Sequence, residues 1–124
     1  MAQSRSHLPD IQDIDAKDWR KTAALHAKQG HKALFVFHAT WCGFCKKTLE
    51  TLHTEKTREP GFKHKVFAVD SASAAELEPD MDLSAVPVIR MSGPRPSGKP
   101  GYALSQCKMG KPSDEDLRRL VRGE

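Results

Sequence analysis

Cys42 and Cys45 stand two residues apart in the run Trp41-Cys42-Gly43-Phe44-Cys45-Lys46, directly after a strongly apolar stretch. A disulfide needs Cα atoms about 4.4–6.8 Å apart, and two intervening residues at a strand-to-helix turn hold a pair near that separation without closing a large loop. The two thiols therefore form a candidate reversible dithiol. The first cysteine is expected in the first turn of a helix, where unpaired backbone N–H groups and the positive end of the helix dipole favour negative charge on its sulfur. Cys42 is assigned as the nucleophile and Cys45 as the resolving thiol. Two plainer readings stand beside this one: a pair of inert core thiols, or half of a zinc site needing two more donors such as His38 and Cys107.

His38, four residues before Cys42, is the nearby residue whose ordinary titration range lies closest to neutrality. It is read as a stabiliser of the Cys42 thiolate or a proton-transfer group, against a plain packing role. Trp41 either offers apolar surface beside the dithiol or is a partly buried core aromatic. Gly43 permits a tight turn, and Phe44 and Lys46 complete the residues that shape the site. Cys107 is expected beside the sheet as a small hydrophobe.

These residues need a strand before them and a helix after them, and the sequence supplies both. Ala33 to Phe37 is short, continuously apolar and rich in strand formers, as for a central strand covered on both faces. Beyond the cysteines, Leu49 and Leu52 continue one helical stripe, with Pro60-Gly61 as the stop. Residues 1 to 13 read as a loose N-terminal segment leading to at most a short strand around Ile11 to Ile14, and residues 14 to 124 as one domain. A first helix is expected from Asp15, capped by Asp15 and Asp18, with Trp19, Ala23, His26 and Ala27 on its inner stripe and Gly30 at its end. A second buried strand covers Lys65 to Val69, and a short helix Ser71 to Glu78. A third strand covers Ala85 to Ile89, with Pro87 near its start. Tyr102 to Met109 reads as an edge strand, and Ser113 with Asp116 as the cap of a last helix. The pattern predicts an α/β fold with a mixed sheet of four or five strands and helices on both faces.

A chain of 124 residues with a formal charge of +4 is of the size for one domain with a real core. No run of eighteen apolar residues and no apolar leader follows Met1, so neither a membrane span nor an export signal is expected. Lysines and arginines are spread along the chain instead of forming one dense basic tract, which argues against nucleic acid as a partner. Three cysteines are too few and too unevenly placed for a disulfide scaffold.

Taken together, Trp41-Cys42-Gly43-Phe44-Cys45-Lys46 after a buried strand and Val86-Pro87-Val88 further on resemble the thioredoxin superfamily over about Asp15 to Val121. The stretch Lys32 to Lys46, with His38 four residues before Cys42, is more similar to the small endoplasmic-reticulum proteins of the anterior-gradient group and to bacterial periplasmic thioredoxin-like domains than to cytosolic thioredoxin. The resemblance implies a three-layer thioredoxin-like fold and thiol-disulfide exchange with protein or peptide disulfides. Cys42 would attack the substrate disulfide and Cys45 would resolve the mixed disulfide. It also implies a cis peptide before Pro87, with the backbone of Val86 pairing to an extended substrate. An unidentified redox partner protein, a monomeric state, no cofactor and no metal are implied by the same likeness. The sequence around His38 leans to an extracytoplasmic compartment, with the cytoplasm as the alternative. One departure is marked: the buried aspartate that family members carry six residues before the first cysteine is Val36 here, and the lysine that accompanies it falls near Val66. That loss motivates a second reading, a substrate-binding or chaperone-like protein with little redox activity.

Overall fold

The computed structural model of the protein describes residues 11–39, 41–58, 65–80, 87–95, 101–104, 108–109, 115 and 119. Its sheet is built from β1 (Ile11–Ile14), β2 (Ala33–His38), β3 (Lys65–Asp70), β4 (Val88–Gly93), β5 (Ala103–Leu104) and β6 (Lys108–Met109). Helices α1 (Trp19–Lys28), α2 (Gly43–Arg58) and α3 (Ser71–Leu77) lie among them. The strand order is β1-β3-β2-β4-β5, with β6 also on β4. Strands β1 and β2 run parallel to β3, and β4 runs antiparallel to β2. Because β5 pairs with Ser92 and Gly93 and β6 with Val88 and Ile89, the two short strands share one edge position. This is the mixed, two-sided α/β sheet the sequence predicts.

Alternation along the strands divides the core in two. On one face Ile11, Leu34, Val36, Val66, Ala68, Ile89 and Met91 pack against Leu49 and Leu52 of α2. On the other, Phe35, Phe37, Phe67 and Val69 pack against Trp19 and Ala23 of α1 and Ala74 of α3. Trp19 meets Phe35 and Phe37 edge-on at 5.3 and 5.1 Å between ring centroids, and Phe35 stacks on Phe67 at 5.3 Å. The indole N–H of Trp19 donates to Glu78 Oε2 at 2.9 Å, and Arg20 Nε donates to Glu78 Oε1 at 2.8 Å. A second guanidinium nitrogen of Arg20 donates to the Tyr102 hydroxyl at 2.7 Å, so one cluster ties α1 to the end of α3 and to the approach to β5. The hydrogen bond from Arg20 holds the Glu78 carboxyl below the usual range, and the same contact raises the guanidinium further.

Local details differ from the sequence pattern. Asp15 and Asp18 form no side-chain caps; Ala16–Asp18 is a 3-10 turn closed by the Asp18 N–H on the Asp15 carbonyl at 2.9 Å. That turn buries Ala16 and delivers Trp19, the first residue of α1, straight into the core. Asp70 does cap α3, accepting from the Ser73 N–H at 3.0 Å. Of the third predicted strand, Ala85 and Val86 lie outside the described residues; β4 starts at Val88, directly after Pro87, which has no N–H for the ladder, and runs on to Gly93. The short strand expected around Ile11 to Ile14 is β1, and its first residue Ile11 is 3% exposed. Val86, Cys107 and the residues Ser113, Asp116, Leu117, Leu120 and Val121 lie outside the described residues. Glu115 and Arg119 lie on a helix and pair at 3.3 Å.

Candidate functional site

Strand β2 is apolar up to its last residue, His38, and buried along its whole length, so its carboxyl end is a fixed platform for the turn that leads into α2. Ala39 continues the buried run, and its carbonyl accepts the Cys42 N–H at 3.1 Å, turning the chain back over the sheet. Helix α2 starts at the next residue, Gly43. Cys42 therefore stands at the cap of α2 and not within its first turn. The Cys45 N–H donates to Cys42 Sγ at 3.1 Å, the contact a serine or aspartate cap would make. One of the otherwise unpaired N–H groups of the helix start thus points at the sulfur, where it stabilises negative charge. The same contact brings Cys42 Sγ onto the residue it would bridge.

Neither Cys42 nor Cys45 is bridged, and their surroundings differ. Cys42 is partly open to solvent, whereas Cys45 is 1% exposed and continues the inner stripe of Leu49 and Leu52. An accessible first thiol and a covered second one are the arrangement sequential attack requires. Trp41 is 79% exposed, which rules out its reading as a core aromatic and leaves a bare apolar surface beside Cys42. Phe44 is partly buried and Lys46 exposed. Gly43 has no left-handed backbone and a Cβ there would meet nothing within 4 Å, so local geometry does not force glycine at this position. Pro87 is buried immediately before β4.

Val36 is fully buried in the apolar layer beneath α2, so no acid stands where the family resemblance places one. His38, the last residue of β2, is 6% exposed and on the same side of that strand as Val36. It also lines an open cleft of about 720 Å³ across the carboxyl ends of β1, β2 and β3, together with Asp13, Ala68 and Asp70. Sequence reading missed this cleft, since Asp13, His38 and Asp70 meet only through the strand register His38 to Asp70 and Asp13 to Ala68. Among the described residues, no group of three or more His, Cys, Asp or Glu is placed to hold a metal ion. Among the same residues, no helix is long and apolar enough to cross a membrane.

A protein-family model described as thioredoxin matches residues 11–117. No curated protein matches the chain. Among solved structures, mitochondrial thioredoxin 3 from Saccharomyces cerevisiae in its oxidized form is similar at a TM-score of 0.67 and 20% identity, over 98% of this chain and 100% of that one. Chloroplastic thioredoxin z is similar at 0.63 and 19%, over 92% and 93%. A thioredoxin from Halobacterium salinarum NRC-1 is similar at 0.64 and 15%, over 92% and 89%. At such identities the likeness speaks for the fold.

Proposed function

The chain belongs to the thioredoxin family, and from that premise we propose that it is a thiol-disulfide oxidoreductase acting on protein or peptide disulfides. The observation that carries this reading is the pairing of an accessible Cys42, capped at its sulfur by the Cys45 N–H, with a covered Cys45 at the start of α2. In the reductive direction, Cys42 thiolate attacks one sulfur of the substrate disulfide and expels the other as a thiolate that takes up a proton. Cys45 then loses its proton and attacks Cys42 Sγ; the Cys42–Cys45 disulfide forms and the second substrate thiol leaves. Two electrons pass from the protein to the substrate, and the reverse sequence makes the protein an oxidant. An extended substrate would lie over exposed Trp41 and, as the family likeness implies, pair with the backbone of Val86.

Reduced protein is expected to cleave the interchain disulfides of a model protein, and Cys42→Ser to abolish turnover. Cys45→Ser should instead accumulate a mixed disulfide at Cys42. Turnover retained in Cys42→Ser would overturn the assignment of the nucleophile. The exposure of Trp41 also favours a second reading, in which the surface holds unfolded polypeptide with little exchange; binding that is indifferent to loss of both thiols would select it. Within the family, the run Lys32 to Lys46 supports a place with anterior-gradient and periplasmic relatives and work outside the cytoplasm. Cell fractionation that finds the protein in the cytosolic pool would refute that placement.

A further inference from the structure

The second half of the exchange has a chemical requirement that the apolar layer under α2 does not meet. Cys45 must lose a proton before it can attack, yet it is 1% exposed, on the helix stripe that carries the buried Leu49 and Leu52. Resting on the exchange reaction proposed above, we propose that His38 accepts the Cys45 proton and passes it to solvent through the cleft at the carboxyl ends of β1, β2 and β3. Cys45 in the first turn of α2 and His38 at the end of β2 occupy the same end of the same layer, because only the short turn through Ala39 and Cys42 separates strand from helix. His38 is almost wholly buried and still reaches the cleft wall, so it has one side toward the dithiol layer and one toward water.

The other titratable groups around His38 are less suited. Asp70, its register neighbour on β3, spends Oδ2 on the Ser73 N–H and hydroxyl at 3.0 and 2.9 Å. Asp13 on β1 lies across β3 from β2, and an ionised carboxylate is a weak base near neutral pH. On α2, His53 is eight residues beyond Cys45, about 12 Å along the helix. Next to His38 on the β4 side stand Pro87 and Val88, which do not titrate. Asp13 and Asp70 share the cleft wall with His38, as do Asp15, Asp18 and Lys21 from the turn and helix above it, and the cleft is the imidazole's route for releasing the proton to water.

In the proposed step, the proton moves from Cys45 Sγ to the neutral imidazole and the Cys45 thiolate attacks Cys42 Sγ. The Cys42–substrate S–S bond breaks, and the departing thiolate takes a proton from the imidazolium or from water. The experiment loads Cys42 of the full chain with thionitrobenzoate through the reagent disulfide, then follows release of the coloured thiolate by Cys45 in single turnover from pH 5 to 9. The wild-type rate is expected to fall about tenfold per pH unit below an inflection in the imidazole range and to flatten above it. His38→Asn is expected to lose the inflection and release roughly 100-fold more slowly at pH 7, with added imidazole restoring part of the rate. Its loading by the reagent should stay within a few-fold of wild type, which reports an intact Cys42 and fold.

A wild-type rate that rises with constant slope through neutrality overturns the proposal even if the variant does not fold. So does an inflection that persists in His38→Asn, or one that lies in the carboxylate range and disappears in Asp70→Asn. Failure of the wild type to load or to release any thiolate would instead overturn the exchange reaction itself, and the role of His38 with it.

Discussion

Val36→Asp puts a carboxyl into the layer that the structure leaves without an acid. Val36 has no exposed surface and lies among Leu34, Leu49, Leu52, Val66, Ala68 and Ile89, none of which offers a hydrogen bond from its side chain. Losing the buried valine costs about 1.5 kcal/mol of apolar burial, and a neutral carboxyl without a partner costs about 2–3 kcal/mol more. The variant should therefore be about 4 kcal/mol less stable even with the new group protonated. Burial raises the folded-state pKa of that group above its unfolded value, so the unfolded chain releases its proton first. The deficit is constant below the ordinary aspartate range and deepens by about 1.4 kcal/mol for each pH unit above it, until the folded group ionises as well. Urea unfolding of parent and variant, followed by far-UV circular dichroism between pH 4 and 7.5, measures the difference at each pH. A deficit that stays flat across that range, or falls below about 1 kcal/mol, would mean the layer supplies water or a partner at Val36, and the reasoning from a dry layer would fail.

Three further outcomes are expected from the same structure. Glu78→Ala should cost about 1–2 kcal/mol, chiefly through the indole N–H of Trp19 left without its acceptor and with only a small share from the half-exposed Arg20. Since the Glu78 pKa is lowered in the fold, the parent should lose that contribution as pH falls through the folded value, and a chemical denaturation series in which the variant's deficit does not shrink toward acid pH would contradict the cluster. Gly30→Ala should cost about 1 kcal/mol by thermal unfolding: a Cβ meets nothing within 4 Å, so the whole effect comes from the left-handed φ of 81°. Trp41→Ala should leave stability within about 0.5 kcal/mol and raise KM for protein disulfides while the rate with a small reagent disulfide holds; a matching loss with both substrates would deny it a docking role.

The strands β2 and β3 were legible because each is a continuous apolar run whose length and residue types leave little else possible, and the dithiol was legible because it comes directly after one of them. The stripe of α2 was read correctly from Leu49 and Leu52. The features that escaped depend on tertiary packing. Nothing local distinguishes a capping aspartate from Asp15, whose carbonyl closes a 3-10 turn so that Trp19 can enter the core. Arg90 and Ser92 hide the apolar alternation of β4, and its far half becomes a strand through antiparallel pairing with β2. The position of Cys42 at the cap, one residue before the helix, depends on the Ala39 carbonyl taking the Cys42 N–H and on its sulfur taking the Cys45 N–H, contacts that the residue types alone do not specify. The meeting of Asp13, His38 and Asp70 is a matter of sheet register, which no single segment of sequence encodes.

The middle position of β3 in the sheet has a consequence for how the chain is made. Strands β1 and β2 are synthesised first, but neither pairs with the other; Ile11 awaits Val66, and Leu34 awaits the same residue from the opposite side. Among the described strands, no two sheet neighbours coexist until β3 has been made, so the dithiol segment is synthesised before the strand that joins β1 to β2. Until the sheet closes, Cys45 lacks the layer that covers it in the fold, and the two thiols are equally open. The distinction between an attacking and a sheltered sulfur is acquired only when a third strand slides between two waiting ones.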